Sequence, residues 1–572
     1  MNPDVLDIAA HVRSRLAASA ESLGIPTTTF VLDRPKDAAH GDVGLGCFPF
    51  AKALGKSPVE IAKELAASVT PDEVIESATA VGPFVNLRYR REALAESVVR
   101  GVLEGAAPYG QWAHEDKCVV IDFSSPNIAK PFHVGHLRST VIGAALRRVY
   151  SHCGWRVEGI NHLGDWGAQF GKVIVAWRRW GSDEDLERAP MRHMFEIYVR
   201  FGQEAPNDPS LQEEASAAFR ALESGDDNEE RAIWRRLREV SLKAFQGPYT
   251  RLCVEFDHVT GESFYEDKMK ATVRQIEEAG ITTLSEGALV VEVDGMPPCI
   301  LRKTDGTTIY ATRDLAGLFY RRDTYGFDRA LYVVGAEQRL HFRQLRAVLE
   351  RLGWPQAAQV EHIDFGLILF HNPDTGRWEK GKTRDGNAIF LSEVLDEAVA
   401  NARRIIEDKN PELADKEAVA EAIGVSAIVF NDLKNSRVKD VKFDWEEMLT
   451  FEGETGPYVQ YAGARLASIL RKAGGAPTGP VAWQALADAD SVLLTMLEYG
   501  PTLQRVLDKN EPSILTGLTT RLASSIHSYL REHHVLSAEP EIREARLALV
   551  AAARKLLDNG LSLLGMTSPE EM

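Results

Sequence analysis

The sequence predicts an α/β protein with a doubly wound parallel sheet at its centre, a smaller α+β region before it and a helical region after it. The first observation is a buried-strand pattern. Residues 118–123 read CVVIDF, a continuous apolar run with one acid, and helical spacing begins at Leu137. The second is the recurrence of strand, helix and strand as ALYVVG, HFRQLRAVLERLGW and HIDFGLILF between residues 330 and 370. The third is the helical pattern beyond about residue 395.

Length and hydropathy set the outer limits of the prediction. A chain of 572 residues is too long for one hydrophobic core, so we expect about three domains. No apolar run approaches the roughly 20 residues of a membrane span. The first residues also lack the basic head and apolar stretch of a secretion signal. We therefore expect a cytoplasmic protein with no membrane partner.

Charge and cysteine content argue against several classes of protein. The formal net charge of −17 disfavours a non-specific nucleic-acid binder, which is normally basic throughout. An enzyme that acts on RNA stays compatible, because basic faces can lie on an acidic body. The five cysteines are an odd number and form no C-x-x-C pair. This predicts buried free thiols, with neither a disulfide framework nor a structural zinc site.

The chain divides into three regions in sequence. Residues 1–110 alternate helical and short extended patterns, with Ser57 and Pro58 typical of a helix N-cap and first helical residue. Residues 111–395 hold the predicted parallel sheet, interrupted by a charged helical insertion at about 180–262. Residues 396–572 are expected to be helical, with a separate module at about 457–572.

The stretch SSPNIAKPFHVGHLRST (124–140) carries the most chemical information. His133 and His136 lie on either side of a glycine, Gly135, where a loop passes into a helix. The free N–H groups and the positive dipole end of a helix start suit an anion. Gly135 lets a flat adenine ring approach the backbone, and imidazole N–H groups could stabilise phosphate charge. The alternative is that both histidines only cap a helix.

The whole stretch 124–140 resembles the HIGH region of class I aminoacyl-tRNA synthetases, in the version typical of the arginine enzymes. NHLGDWGAQFG (161–171) resembles the same family. The resemblance implies a class I Rossmann-type doubly wound catalytic domain at residues 111–395. It also implies an N-terminal α+β domain (1–110) against the tRNA elbow, and a C-terminal all-helical anticodon-binding domain (396–572).

TTIYATRDLAGLFYR (307–321) supplies a candidate receptor for arginine. Tyr310 and Asp314 are four residues apart, which places them on one face of a helix. A carboxylate is the natural bidentate partner of a guanidinium, so Asp314 suits the substrate side chain. The alternative is that Asp314 pairs with Arg313 or Arg321. The family uses the matching Tyr and Asp for its substrate.

Further arginine contacts follow from the resemblance. Asp122, the acid of the first apolar strand, needs the substrate cation or a neighbouring base as a partner if it is buried. The family's amino-acid site also implies Ser125, Asn127 and Gln338, as polar contacts to the ammonium and carboxylate groups. His133 is expected to reach the same carboxylate.

One stretch departs from the class pattern. Class I enzymes carry a K-M-S-K-S loop whose lysines neutralise pyrophosphate, whereas residues 379–386 here read EKGKTRDG. Lys380 and Lys382 are the candidate ATP-binding cations of this flexible loop. Lys130, just before the first histidine, is expected to compensate for the altered loop. The alternative is a charged surface turn.

The resemblance also implies contacts with tRNA. ETGPYVQYAGARLASILRK resembles the start of the family's anticodon-binding module. Unpaired bases are read by aromatic, polar and Arg side chains. The candidates in this region are Tyr458, Gln460, Tyr461, Arg465 and the terminal Met572. In the N-terminal region, Phe84 and Asn86 are the candidates for stacking and for a base edge. Core packing is the alternative for Phe84, Tyr458 and Tyr461.

The expected function is therefore that of an arginine–tRNA ligase. Its partners would be L-arginine, ATP and tRNA(Arg), with Mg²⁺ held by the triphosphate and water, and with no metal site of the protein's own. We expect a monomer. Two alternatives stay open: a class I synthetase for another amino acid, and a catalytically silent RNA-binding protein of the same fold. The long first motif argues against the first of these, and the intact His133 and His136 argue against the second.

Overall fold

The computed structural model describes residues 7–26, 30–105, 108–111, 116–380 and 389–572. Lys382 and most of the altered loop (381–388) lie outside the described residues. In the described residues, no helix is long and apolar enough to cross a membrane.

The N-terminal region is a four-stranded antiparallel sheet, in the order β1-β2-β4-β3, packed with helices. Helix α3 begins as predicted: Ser57 caps it in a capping box with Glu60, and Pro58 is its first residue. The elements are α1 (Ile8–Glu21), β1 (Leu32–Asp33), β2 (Val43–Gly46), α2 (Ala51–Leu54), α3 (Pro58–Ser68), β3 (Ile75–Val81), β4 (Phe84–Tyr89) and α4 (Arg91–Glu104).

The central region is built on five parallel strands in the order β12-β11-β5-β6-β7. The elements are β5 (Cys118–Asp122), α5 (Leu137–His152), β6 (Arg156–Leu163), α6 (Gln169–Trp180), α7 (Asp183–Arg188), α8 (Pro190–Glu204), α9 (Ser210–Glu223), α10 (Glu229–Arg251), β7 (His258–Gly261), α11 (Glu266–Glu278), β8 (Thr282–Ser285), β9 (Ala288–Val291), β10 (Cys299–Arg302), α12 (Tyr310–Tyr325), β11 (Arg329–Tyr332), α13 (Arg339–Arg351), β12 (Val360–His362), β13 (Ile368–Asn372) and β14 (Arg377–Lys380).

Strand β5 lies in the middle of this sheet, and all five of its residues are buried. Because the strands are parallel, the loops after β5, β6, β7 and β11 meet at one edge of the sheet. Five helices, α6 to α10, lie between β6 and β7. The predicted fold class, a doubly wound parallel sheet between an α+β region and a helical region, is confirmed.

The C-terminal region is a helical array in which α17 packs against α20 and α21. Its elements are α14 (Leu391–Lys409), α15 (Lys416–Leu433), β15 (Val441–Phe443), α16 (Trp445–Met448), α17 (Gly456–Ala473), α18 (Asp490–Leu497), α19 (Tyr499–Lys509), α20 (Ser513–Glu532) and α21 (Pro540–Leu563).

The structure differs from the sequence prediction in two stretches of chain. HIDFGLILF is not one strand: β12 ends at His362, and β13 pairs with β14 and β15 in a separate sheet. The chain bends at Gly366, where a Cβ would meet the backbone of Lys439. The second difference is β15 itself, a short strand within the region expected to be helical. Its alternating burial, with Val441 and Phe443 inside, is the period-two pattern of a strand.

Four cysteines are buried free thiols, as predicted. Cys253 is the exception, since it is exposed just after α10.

Candidate active site

The two histidines of the 124–140 motif form a compact turn at the start of α5. We call residues 133–136 the HVGH turn. The backbone N–H of Gly135 donates to His133 Nδ1 (3.0 Å), and the N–H of His133 donates to His136 Nδ1 (3.3 Å). Because both Nδ1 atoms accept, each neutral ring carries its proton on Nε2. A side chain at 135 would lie 2.7 Å from the His133 ring, so the turn requires glycine.

Both imidazoles of the HVGH turn are held in the neutral form. Burial, and then the nearby His133, lower the pKa of His136 to about 3. Burial, Lys380 and Lys130 lower the pKa of His133. At neutral pH the turn therefore offers two uncharged N–H donors beside two lysine cations, an arrangement that suits phosphate oxygens.

Lys130 and the ends of the altered loop lie beside the HVGH turn. Lys130 Nζ donates to Gln169 Oε1 (2.8 Å) and lies 5.6 Å from the centre of the Tyr198 ring. Burial lowers the pKa of Lys130. On the far side of the loop, the N–H of Val134 donates to the carbonyl of Ile389 (3.1 Å). Ile389, the first described residue after the loop, is thus bonded to the turn. Lys380, the last described residue before the loop, is close enough to lower the pKa of His133. Lys382 lies outside the described residues.

The LGDWG stretch joins two of the loops at the sheet edge. The N–H of Ile128 donates to the carbonyl of Gly164, and the N–H of Gly164 donates to Pro126, both at 3.1 Å. A Cβ at Gly164 would collide with the Asn127 side chain. Asp165 is fully buried and accepts two hydrogen bonds from Ser263, which follows β7. These hydrogen bonds therefore hold the loops after β5, β6 and β7 together.

Asp122 has an internal partner. Its Oδ2 accepts from Arg321 Nη2 at 2.6 Å, and its Oδ1 accepts from Ser125 Oγ at 2.9 Å. Both charged side chains are at most 6% exposed. Of the two partners that the sequence left open for Asp122, the neighbouring base is the one present. Its charge is matched by Arg321, and Asp122 also accepts a hydrogen bond from Ser125; its direct contact with the substrate stays a prediction.

Asp314 differs because its partner is a histidine. Helix α12 begins at Tyr310, which is 57% exposed, and Asp314 lies one turn later on the same face. Asp314 Oδ2 accepts from His341 Nε2 at 2.6 Å. The alternative that Asp314 pairs with Arg313 or Arg321 is wrong: Arg313 binds Glu266, and Arg321 binds Asp122. In the described part of the chain, Asp314 has no Lys or Arg partner.

A third acid of this site, Glu262, was missed from the sequence. It follows β7 directly and forms an ion pair with Arg313 at 3.6 Å. Burial raises the pKa of Glu262 to about 7, Arg313 opposes the rise, and Asp314 and Asp165 add to it. The available signal was its position: like Asp122, it lies at the carboxyl end of a parallel strand.

The remaining predicted arginine contacts surround the same edge. Asn127 is half-buried in the loop after β5, and Ser125 is bonded to Asp122. Gln338 is exposed at the end of the short helix Ala336–Gln338 after β11. The structure therefore brings the predicted ATP and arginine residues of the described chain to one edge of the sheet.

Comparison with known proteins gives the family. The family model described as "tRNA synthetases class I (R), catalytic domain" matches residues 98–445. "Arginyl tRNA synthetase N terminal domain" matches residues 7–89, and "DALR anticodon binding domain" matches residues 459–572. The chain belongs to the class I arginyl-tRNA synthetases.

Relatives of known name cover almost the entire chain. The arginine–tRNA ligase of Exiguobacterium sibiricum is 45% identical over 545 residues, which is 95% of each chain. That of Clostridioides difficile is 41% identical and covers 99% of this chain and 100% of its own. Among solved structures, the Thermus thermophilus arginyl-tRNA synthetase matches with a TM-score of 0.86 at 28% identity, covering 98% of this chain and 100% of its own.

The predicted tRNA contacts of the N-terminal region separate into one exposed and one buried residue. Phe84 is 44% exposed and forms an edge-on pair with Phe48, with ring centres 5.8 Å apart. Asn86 is only 5% exposed and packs against Gly44 in the sheet. The prediction that Asn86 reads a base edge therefore does not fit this structure, since its amide faces the protein.

Three of the predicted anticodon contacts share a cavity. Tyr461, Arg465 and Met572 line a space of about 550 Å³ together with Arg471 and Lys472. Tyr461 is 45% exposed and stacks on His527, with ring centres 5.7 Å apart. The carbonyl of Met572 accepts from Asn410 Nδ2 (3.2 Å), so the terminal residue is held in place.

The other two candidates for anticodon contacts are less exposed to solvent. Tyr458 is half-buried, with its ring 5.1 Å from that of His527. Gln460 is fully buried, and its amide donates to the carbonyl of Thr567 at 2.7 Å. Gln460 joins α17 to the chain terminus and cannot touch RNA from this position, which corrects the prediction for this residue.

Proposed function

We infer that this protein is an arginine–tRNA ligase, which activates L-arginine with ATP and transfers it to the 3′ end of tRNA(Arg). The observation that carries the inference is the meeting of two complementary sites at one sheet edge. One holds neutral imidazole donors beside lysines, which suits a triphosphate. The other presents Asp314, a carboxylate that has a histidine partner and, in the described residues, no Lys or Arg partner, which suits a cation. The silent RNA-binding alternative receives no support from the relatives.

For activation, we propose that the arginine carboxylate attacks the α-phosphate of ATP and that pyrophosphate leaves. The Nε2–H groups of His133 and His136 donate to phosphate oxygens as negative charge develops there. Lys130, Lys380 and Lys382 neutralise the leaving pyrophosphate. Gly135, exposed in the turn, leaves room for the adenine ring. Catalysis by these residues consists of positioning and charge stabilisation.

Mg²⁺ enters this proposal as part of the nucleotide substrate, held by phosphate oxygens and water. In the described residues, one group of three side chains is close enough to hold a metal ion by itself: His11, Asp72 and Glu73, in the N-terminal region. The acids near the HVGH turn are instead paired with arginine or face the proposed arginine site. The ion would therefore be carried by ATP.

For arginine, we propose that Asp314 receives the guanidinium, with Tyr310 beside it and Glu262 as a second acid. Gln338, Asn127, Ser125 and His133 contact the ammonium and carboxylate ends. Asp122, which is paired with Arg321, accepts a hydrogen bond from Ser125 and holds that side chain in position.

For tRNA, we propose that the regions 1–110, 111–395 and 396–572 contact different parts of the molecule. Phe84 stacks against the elbow. Tyr458, Tyr461, Arg465 and Met572, at or near the cavity in the module 457–572, contact the anticodon loop. Asn86 and Gln460, both buried, are left out. A monomeric state and a cytoplasmic location remain predictions from the sequence.

ATP–pyrophosphate exchange tests this proposal. We expect exchange with arginine, dependent on added tRNA, and none of comparable rate with the other amino acids. Equal exchange with another amino acid, or none with arginine and cognate tRNA, would overturn it.

A further inference from the structure

His341 is the buried partner of the carboxylate proposed to receive the guanidinium. It lies in α13, is 6% exposed, and donates through Nε2 to Asp314 Oδ2 at 2.6 Å. Its ring centre is 4.8 Å from that of Tyr310, the neighbour of Asp314 in the proposed arginine site. One histidine therefore contacts both residues of α12 that face the substrate.

The hydrogen bond fixes which ring nitrogen of His341 faces the carboxylate. A carboxylate only accepts hydrogen bonds, so the bonded Nε2 carries a proton. His341 Nδ1 is buried and has no hydrogen-bond partner in the described residues. The ring is therefore held in the described residues through its Nε2–H bond to Asp314 and its contact with Tyr310.

The buried aspartates of the described residues have a different kind of partner. Each is matched by an arginine at 2.6 to 2.9 Å: Asp42 with Arg91, Asp122 with Arg321, Asp165 with Arg238, and Asp432 with Arg138. Asp314, whose side chain is 27% exposed, is instead paired with a histidine. An arginine there would cancel the charge that a substrate guanidinium needs.

We propose that His341 is a specificity-determining positioning residue for the arginine site, an inference that rests on the proposed role of Asp314. The Nε2–H bond holds Asp314 by Oδ2, which fixes the plane of the carboxylate and turns Oδ1 toward the substrate. In the described residues Asp314 has no Lys or Arg partner, so the carboxylate that His341 orients is not already paired with a guanidinium or ammonium group. His341 thus positions the carboxylate for a cationic side chain.

Three substitutions at His341 separate orientation, charge and packing. His341→Gln keeps an N–H donor near the position of Nε2 and should leave the arginine KM within about threefold of the parent. His341→Leu keeps the bulk but loses the donor, and should raise the arginine KM roughly ten- to hundredfold with kcat little changed. His341→Lys places a cation beside Asp314 and should raise the arginine KM further. The KM values for ATP and tRNA should hardly move in any of the three variants.

A matched control is available in the same sheet. His258 also bonds a carboxylate, Glu158, at 2.8 Å, but at the opposite end of β7 from Glu262. His258→Leu should leave the arginine KM unchanged. The discrimination against citrulline, which lacks the positive charge, should fall in His341→Leu and His341→Lys and hold in His258→Leu.

Asp314→Asn distinguishes the failure of this inference from that of the proposed site. If Asp314→Asn leaves the arginine KM unchanged, the role of Asp314 is wrong and the inference falls with it. If Asp314→Asn raises the KM while folded His341→Leu and His341→Lys do not, the inference alone is overturned. If His341→Gln raises the arginine KM as much as His341→Leu does, at an equal melting temperature, packing explains the residue. The inference is then likewise overturned. Should His341→Leu not fold, the comparison of His341→Gln with His341→Lys decides.

Discussion

At the scale of single residues, the site is defined by which charges have partners. Asp122 and Asp165 are buried and matched by arginine, whereas Asp314 is matched only by His341. An unmatched acid at a sheet edge attracts a cation, and a matched acid holds loops in place. Residue identity alone does not separate these two uses, since all three are aspartates.

The Asp314→Asn variant tests the proposed guanidinium contact. One acceptor oxygen becomes a donor that faces the guanidinium donors, so we expect a loss of ~2–5 kcal/mol in transition-state binding. The loss should appear mainly as a higher arginine KM, because the contact exists before and during reaction. The tRNA KM and the melting temperature serve as controls. Unchanged arginine kinetics would make Asp314 a structural residue.

Glu262 predicts a pH dependence of arginine binding. Its pKa is about 7, above the ordinary 4.5, chiefly because of burial. A bound guanidinium favours the ionised carboxylate, so binding releases a proton. The arginine KM should therefore fall as pH rises from 6 to 8 and level off above. Glu262→Gln should have a high KM with a flat profile over this range. A parent profile that is equally flat would contradict the assignment.

The raised pKa of Glu262 also makes the stability of the folded protein depend on pH. The folded state binds this proton more tightly than the unfolded state does, so the contribution of Glu262 to stability falls as pH rises from about 4.5 to 7. Glu262→Gln should therefore melt at a higher temperature than the ligand-free parent at pH 8, with a smaller difference at pH 5.

At the scale of secondary-structure elements, the HVGH turn is held from three directions. The start of α5 orients its backbone donors, Ile389 anchors Val134, and Lys130 approaches from the side of α6 through Gln169. The described residues on either side of the loop lie close to the turn: Ile389 is bonded to Val134, and Lys380 is near enough to lower the pKa of His133.

Replacing Lys380 and Lys382 together by Ala tests the proposed role of the cations in the loop between Lys380 and Ile389. If the two cations neutralise pyrophosphate, the activation rate should fall by ~10²-fold or more, while transfer from preformed adenylate stays nearly intact. Rapid-quench measurements of the two steps give both rates. Lys416→Ala, at the start of α15, is a lysine-to-alanine control in another element and should alter neither rate. Equal losses in both steps would indicate a damaged fold.

At the scale of the whole molecule, the proposed catalytic edge and the C-terminal cavity belong to different regions. The cavity of Tyr461, Arg465 and Met572 is built from α17, the end of α20 and the chain terminus. Interactions made there should change how tRNA binds and leave the ground-state binding of arginine untouched.

The Tyr461→Ala variant tests this separation. Loss of one stacked base is worth ~1–3 kcal/mol, so the tRNA KM for aminoacylation should rise roughly 5- to 150-fold. Tyr461→Phe keeps the ring on His527 and should stay close to the parent. The arginine KM at saturating tRNA should be equal in all three proteins. A tRNA KM within twofold for Tyr461→Ala would remove Tyr461 from the anticodon site.

Much of the fold and part of the site could be predicted because they depend on neighbours along the chain. Apolar runs and helical spacing indicated β5 and α5, and Ser57 with Pro58 indicated the start of α3. The four-residue spacing placed Tyr310 and Asp314 on one helical face. These features follow from backbone geometry with periods of two to four residues, which sequence displays directly.

Only the tertiary structure decided which side chains pair with each other and which side chains are buried. Arg321 reaches Asp122 across 199 residues, and His341 reaches Asp314 from the next helix. Asn86 and Gln460 lie in polar motifs yet are buried, because packing against Gly44 and the chain terminus turns their amides inward. Such pairings depend on how whole elements dock, and no local period encodes that. The sequence by itself determined the chemistry available to this enzyme, and the docking of its helices and strands decided which groups remain free to use it.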